Sequence, residues 1–206
     1  DGPPTARLSA EAVTAFADSL LPAVLDSMQV PGAVFTVVRG DTVLHAGGYG
    51  WSDRDGGLRF DPDTTVVRVA SVSKLFTATA VLQLYEAGRL RLDRDVNTYL
   101  TDLQVDSAFA SPITLHHLLT HTAGLDERIL NAGDDTPPPE LARVLENTLP
   151  PRVYPPGEII SYSNHGMALA GRVVETVSGM PFARYQAERI FQPLGMARSS
   201  FRQPPE

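Results

Sequence analysis

The chain has 206 residues, of which 43% are hydrophobic and 20% charged, and its formal net charge is −7 at pH 7. The acidic balance, with arginines scattered among Asp and Glu, argues against a nucleic-acid partner, and no apolar run is long enough to predict a membrane span. The sequence contains no cysteine, which excludes disulfides, thiolate metal ligands and cysteine nucleophiles.

The first part of the chain predicts a helix followed by a β-hairpin. The helix covers 9–29, with Ser9 as its N-cap and Pro22 as a point where it can kink. Its predicted apolar face consists of Val13, Phe16, Leu20, Val24 and Met28. Two β-rich runs within 33–50 join at the turn 39–41, and we expect the glycines at 47, 48 and 50 to end the second strand.

The middle of the chain predicts a short strand and a long helix. A polar loop at 52–57 precedes a β-rich segment at 64–69, which predicts the strand. The helix runs from Val72 to Ala87 and stops at Gly88. Apolar residues occupy nearly every face of this helix, a pattern typical of a buried helix.

Helices dominate the remainder. They are predicted at 114–121, 164–179 and 181–192. Thr114 is a candidate N-cap for the first, and Asn164 or His165 begins the second, which ends near Gly179. The segment 131–140 is rich in Asp, Gly and Pro and predicts a surface loop rather than a linker between domains.

Lys74 is the single lysine among the 17 lysine and arginine residues of the chain. It falls in the first turn of an apolar helix, where both burial and the helix dipole disfavour its charge. A desolvated lysine, unlike arginine, can lose its proton and act as a base. Ser71 lies three positions earlier on the same helical face, so the two side chains can share a proton. The pair predicts a serine nucleophile with a lysine partner, and the backbone N–H groups at the helix start can stabilise an oxyanion.

A second candidate pair is Tyr162 and Asn164, two positions apart where a loop enters a helix. A cationic lysine nearby makes a tyrosine easier to deprotonate, because the phenolate gains a neighbour of opposite charge. The asparagine amide can both donate and accept hydrogen bonds. These two residues are therefore candidates for proton transfer and substrate binding.

Four segments occur in order between about residues 30 and 200: "RVASVSKLFTATAVLQLYEAGRLRLD", "ITLHHLLTHTAGL", "YPPGEIISYSN" and "FQPLGM". Together they resemble the signatures of the penicillin-binding serine β-lactamase-like superfamily, on its class C β-lactamase, DD-peptidase and esterase side. The resemblance implies an α+β fold of the β-lactamase (DD-peptidase) type, with an antiparallel sheet and a helical region. It also implies catalysis through an acyl-enzyme, without a cofactor or metal.

The resemblance assigns a role to each candidate residue. Ser71 is the nucleophile, Lys74 its proton acceptor and partner, and Tyr162 a general base that also activates the deacylating water. Asn164 hydrogen-bonds the substrate and Lys74. Whether Lys74 or Tyr162 takes the first proton is left open, because their titrations are coupled.

One family element is absent from the sequence: a Lys or His followed by Thr or Ser and then Gly, on a strand beside the nucleophile. We therefore expect residues 1–206 to be the N-terminal part of one incomplete domain, without its C-terminal strands and helix. The resemblance places the strand at 33–39 between the strand at 42–50 and one from the C-terminal part. The expected partner is that C-terminal part or another copy of the chain, which would complete the sheet.

The leading interpretation is a serine hydrolase acting on an ester, amide or β-lactam substrate. The alternative is a non-catalytic sensor domain of the same fold that binds peptidoglycan or β-lactams. The chain starts at Asp1, and "DGPPTARLSA" lacks the basic start and apolar centre of a signal peptide, so we expect a removed leader and an extracytoplasmic protein, periplasmic or secreted. His117 and His121 have a spacing that can hold zinc, but no third ligand follows, which favours a structural role.

Overall fold

The structure, a computed structural model, describes residues 8–127 and 140–202. They fall into two compact units that divide between Arg68 and Val69. The first unit contains an antiparallel sheet and a helix, and the second is helical, so the predicted α+β class is confirmed. The predicted loop at 131–140 lies outside the described residues, except for Glu140.

The first unit contains one helix and three strands. They are α1 (Ala10–Ser27), β1 (Gly32–Arg39), β2 (Thr42–Asp53) and β3 (Leu58–Arg59), with the strands in the order β1-β2-β3. Ser9 caps α1 as predicted, because its hydroxyl oxygen accepts the backbone N–H of Ala12. The predicted hairpin is also confirmed: β1 and β2 are antiparallel, and Arg39 pairs with Thr42 across the turn.

Two predictions for the sheet are wrong. The segment 64–69 forms no strand, and β3 takes the pairing position beside β2 instead. The glycines at 47, 48 and 50 do not end β2, which continues to Asp53. A Cβ at Gly48 would collide with the carbonyl oxygen of Phe60, so this glycine allows two backbone segments to approach closely rather than ending the strand.

The predicted apolar face of α1 is only partly buried. Val13 and Ala17, one helical turn apart, are the buried residues of the helix. Phe16, Leu20 and Met28 are exposed. The buried stripe follows the i and i+4 positions, so it is narrower than the face expected from the sequence.

Among its described residues, 69–127 and 140–202, the second unit contains five α-helices. They are α2 (Ser73–Glu86), α3 (Leu115–Leu119), α4 (Leu141–Thr148), α5 (Asn164–Ser178) and α6 (Phe182–Gln186). A turn of π-helix, Ala187–Phe191, extends α6 to just before Pro193, close to the predicted end. Gly179 ends α5 in the left-handed conformation with φ 73°, as predicted, and Asn164 begins that helix.

The helix α2 departs from its prediction as a helix buried on all sides. Its buried residues are Thr77, Ala80, Val81 and Leu84. Leu75, in contrast, is 65% exposed, and Val72 and Leu82 are exposed as well. The reason is that α2 packs on α5 and α6 along one face only, and no described residue covers the opposite face to the same extent.

Candidate active site

Ser71 lies in a turn of 3-10 helix, Ala70–Val72, that leads directly into α2. The preceding residue, Ala70, has a positive φ of 44°, a conformation that costs free energy for any residue with a Cβ. The Ser73 hydroxyl donates to the Ala70 carbonyl oxygen at 2.6 Å and holds this bend. The bend places Ser71 ahead of the regular helix, where its side chain is exposed.

The structure brings the four predicted site residues together. The hydroxyl oxygens of Ser71 and Tyr162 are 2.6 Å apart. The Lys74 ammonium donates to Ser71 Oγ at 3.1 Å and to Asn164 Oδ1 at 2.7 Å. The four side chains thus form one hydrogen-bonded chain that connects the start of α2 to the start of α5.

The neighbouring Lys74 lowers the pKa of the Tyr162 hydroxyl. The Lys74 nitrogen lies 4.8 Å from the centroid of the Tyr162 ring. Hydrogen bonding to Lys74, and secondly to Ser71, holds the pKa of Tyr162 below its ordinary value of 10.0, against a smaller opposing effect of burial. The phenolate form is therefore easier to reach here than in a free tyrosine.

His121 supports the segment that carries Tyr162. Its backbone carbonyl accepts the N–H of Ser161 at 2.7 Å, and its Nδ1 accepts the N–H of Ser163 at 3.2 Å. The two rings are in contact, with the centroids of His121 and Tyr162 4.6 Å apart. Burial and, to a smaller degree, the charge of Lys74 lower the pKa of His121. Because its Nδ1 accepts the N–H of Ser163, the ring proton lies on Nε2.

The His117 and His121 pair does not have the geometry of a metal site. The helix α3 ends at Leu119, two residues earlier than predicted, and His121 follows with a φ of 56°. Nδ1 of His117 accepts the N–H of Thr114, and this contact completes the capping box that the predicted N-cap Thr114 forms. Within residues 8–127 and 140–202, no group of three His, Asp or Glu could hold a metal ion.

Glu127 is a site residue that the sequence pattern did not indicate. One carboxylate oxygen accepts the backbone N–H of Asn164 at 3.0 Å, and the other accepts its side-chain amide at 2.6 Å. The two residues lie 37 positions apart, so neither helical spacing nor a short motif connects them. The left-handed turn at His121 is local to the end of α3. The contact between the His121 and Tyr162 rings, in contrast, joins residues far apart in the sequence, as the contact of Glu127 with Asn164 does.

None of the helices among the described residues is both long and apolar enough to cross a membrane.

Comparisons with known proteins agree on one family. The Beta-lactamase family profile matches residues 17–206. Penicillin-binding protein 4 of Amycolatopsis lactamdurans is 37% identical over 176 residues, which are 82% of this chain and 44% of the relative. Esterase EstB of Burkholderia gladioli is 33% identical over 214 residues, 96% of this chain and 54% of the relative. The chain thus spans about half the length of the curated relatives it matches.

Solved structures give the same result. The octameric penicillin-binding protein homologue from Pyrococcus abyssi superposes with a TM-score of 0.76 at 29% identity, over 89% of this chain and 43% of that one. EstCE1, a hydrolase with promiscuous acyltransferase activity, superposes with a TM-score of 0.77 at 26% identity, over 90% of this chain and 52% of that one. The fold of most of this chain is therefore shared with these two proteins.

Proposed function

Because the chain belongs to the beta-lactamase family, we propose that it is the part of a serine hydrolase that carries the nucleophile and its proton-transfer partners. Ser71 is the nucleophile, Tyr162 takes its proton, Lys74 stabilises the charge that Tyr162 carries, and Asn164 binds Lys74 and the substrate. The observation that carries the proposal is the hydrogen-bonded chain through these four side chains.

The distances favour Tyr162 as the group that takes the first proton. The contact between Ser71 and Tyr162, at 2.6 Å, is as short as a hydrogen bond from a hydroxyl to an ionised oxygen, about 2.5–2.7 Å. Lys74 donates to Ser71 Oγ and to Asn164 Oδ1, which leaves the Ser71 hydroxyl proton directed to Tyr162. In this arrangement Lys74 remains cationic and stabilises the Tyr162 phenolate.

Acylation then proceeds in two steps. Ser71 Oγ attacks the carbonyl carbon of the substrate while its proton passes to Tyr162 Oη. The tetrahedral intermediate collapses when the leaving group takes that proton from Tyr162. The backbone N–H of Ser71, at the start of α2, supplies one donor to the developing oxyanion. Ser71 is left as an ester of the acyl group.

Deacylation repeats these steps with water as the nucleophile. Tyr162 accepts a proton from the water, whose oxygen attacks the acyl carbon. The Ser71 oxygen then leaves and takes the proton back from Tyr162, which regenerates the enzyme and releases the acid. An ester, amide or β-lactam substrate undergoes the same sequence, and the shape of the pocket selects among them.

We propose further that residues 1–206 belong to a single β-lactamase-like domain whose sheet is completed by its C-terminal part or by another copy of the chain. The support is that β1 has one paired edge, toward β2, among the described residues, and that the matched relatives are about twice as long. We also propose that the protein is extracytoplasmic, periplasmic or secreted. The completing strand would supply the second oxyanion donor.

The test is covalent labelling of the full-length protein, with intact mass measured after incubation with a fluorophosphonate and with a penicillin. We expect one adduct at Ser71 that is absent from Ser71→Ala and retained in the matched control Ser107→Ala, whose serine is exposed outside the site. Release of the acyl group over time supports a hydrolase. A permanent penicillin adduct without turnover favours the sensor alternative, and an adduct that survives Ser71→Ala overturns the assignment.

A further inference from the structure

The carboxylate of Glu127 accepts two hydrogen bonds from Asn164, one from its backbone N–H and one from its side-chain amide. We propose that Glu127 is a positioning residue that fixes the orientation of the Asn164 amide and thereby holds the Lys74 ammonium in place for the acylation of Ser71. The inference rests on the proposed function. It adds a residue that acts on the proton-transfer chain through Asn164, without touching the substrate.

The contacts determine which way the amide points. A backbone N–H can only donate, and an ionised carboxylate can only accept. The side-chain atom of Asn164 that faces Glu127 Oε1 at 2.6 Å must therefore be its nitrogen, Nδ2. The amide oxygen is then left on the other side, where it accepts from Lys74 at 2.7 Å.

The opposite orientation would disrupt the site. With the Asn164 amide turned round, its NH₂ group would face the Lys74 ammonium, and two donors would oppose each other. The ammonium would lose the shorter of its two hydrogen bonds, 2.7 Å to Asn164 against 3.1 Å to Ser71. Both Lys74 and Asn164 are partly buried, so water does not fully replace the lost partner.

Glu127 also contributes charge to the site. The charged and titratable groups that face it are Lys74 from α2, His121 after α3 and Tyr162 before α5. Its negative charge raises the pKa of Tyr162, in opposition to the larger lowering by Lys74 and Ser71. Removing the charge alone would therefore shift the pH dependence of the reaction to lower pH, whereas displacing Lys74, whose effect on Tyr162 is larger, shifts it to higher pH.

The substitution Glu127→Gln tests the orientation of the Asn164 amide while the side chain at position 127 keeps nearly the same size. The oxygen of the introduced amide can still accept the backbone N–H of Asn164, but its NH₂ group then faces the Asn164 amide nitrogen. The Asn164 amide has to turn or lose the contact. In the double variant Glu127→Gln with Asn164→Asp, the carboxylate introduced at position 164 accepts both from the amide introduced at position 127 and from Lys74. The chain of donors and acceptors is thereby restored.

The experiment measures the fluorophosphonate labelling rate of Ser71 as a function of pH in the full-length protein, with kcat and KM for a p-nitrophenyl ester. Melting curves establish the folded fraction of each variant. The matched control is Glu158→Gln, an exposed residue whose side chain makes no hydrogen bond among residues 8–127 and 140–202. We expect Glu127→Gln to lower the labelling rate and kcat about ten-fold, with KM little changed, and to shift the pH inflection upward, toward that of Lys74→Ala. The control should stay within about two-fold of the unmodified protein.

The double variant provides the second readout. We expect it to label several times faster than either Glu127→Gln or Asn164→Asp alone, because the two changes compensate. Folded Glu127→Gln with an unchanged rate and pH inflection, or a double variant no faster than both singles, would overturn the positioning role. Failure of the unmodified protein to label at Ser71 would instead overturn the proposed function, and the inference with it.

Discussion

The hydroxyl oxygens of Ser71 and Tyr162 are 2.6 Å apart, although the residues are separated by 91 positions in the sequence. The contact forms because α2 packs on α5, and each residue lies just before one of these helices. The core that holds the helices together includes Val81 of α2 and Val173 of α5, both fully buried. The geometry of the reacting groups therefore depends on helix packing as well as on the local motifs.

The first prediction concerns the identity of the single lysine. We expect Lys74→Arg to be nearly as damaging as Lys74→Ala in the full-length enzyme. A guanidinium is planar and larger than an ammonium, so it does not fit between Ser71 and Asn164 without displacing them. Hydrolysis of p-nitrophenyl acetate measures both variants. If Lys74→Arg kept more than about a tenth of the activity, a barrier change below about 1.4 kcal/mol, a positive charge alone would be sufficient.

The second prediction concerns the base. If Tyr162 acts as the phenolate, the labelling rate of Ser71 rises with pH as Tyr162 loses its proton. Because the pKa of Tyr162 lies below 10.0, chiefly through Lys74, the inflection should lie below pH 10 in the unmodified protein. Lys74→Ala should move the inflection upward, and Tyr162→Phe should abolish it and slow labelling by about 100-fold or more. A pH profile unaffected by Tyr162→Phe would assign the first proton to another group.

The third prediction concerns stability in mild acid. His117 and His121 each accept a backbone N–H at Nδ1, so protonation of either ring breaks a hydrogen bond. Burial lowers the pKa of both in the folded protein, so the unfolded chain binds these protons more readily below its histidine pKa of about 6.5. The free energy of unfolding is therefore expected to fall as the pH drops from 7 toward 5.

Urea unfolding at several pH values measures this effect. His121→Asn and His117→Asn should each make the decrease in the free energy of unfolding with falling pH less steep, because each removes one proton-binding difference between the folded and unfolded states. Ser107, which is exposed and does not titrate, provides the control: Ser107→Asn should leave the slope as it is. Equal slopes in all four proteins would contradict a neutral His117 and His121.

The local motifs were sufficient to predict much of the site. The unusual position of Lys74, one helical turn after Ser71, depends only on short-range spacing, and so do the caps at Ser9 and Thr114. The meeting of Tyr162 with Ser71 was expected from the chemistry of the two motifs and their resemblance to a family. Each motif is a local pattern that one stretch of sequence contains in full, whereas the contact between the two motifs joins residues 91 positions apart.

The missed features depend on contacts between distant segments. Glu127 reaches Asn164 across 37 positions, and no local signal marks it. The valines at 66, 67 and 69 have high β-propensity, but β3 occupies the available pairing position beside β2. Leu75 and Leu82 are as apolar as the buried residues of α2, so their exposure depends on which helices pack against it.

The last prediction concerns the open edge of the sheet. In the part of the chain that the structure describes, β1 pairs with β2 on one side and with no strand on the other. Val34 and Val38 of β1 are exposed. An unpaired edge strand with exposed apolar side chains is a template for association. We therefore expect the 206-residue chain, expressed alone, to self-associate or to bind a separately expressed remainder of the protein.

Size-exclusion chromatography with light scattering, together with the ester assay, tests this expectation. A lysine on an edge strand opposes pairing, so Val38→Lys should reduce the association. Val66→Lys is the control, because Val66 is also apolar and exposed but lies in a segment that forms no strand. The chain alone should lack esterase activity, because the donor proposed for the completing strand is missing. A monomeric chain with full activity would contradict both the need for a further strand and the need for a second oxyanion donor.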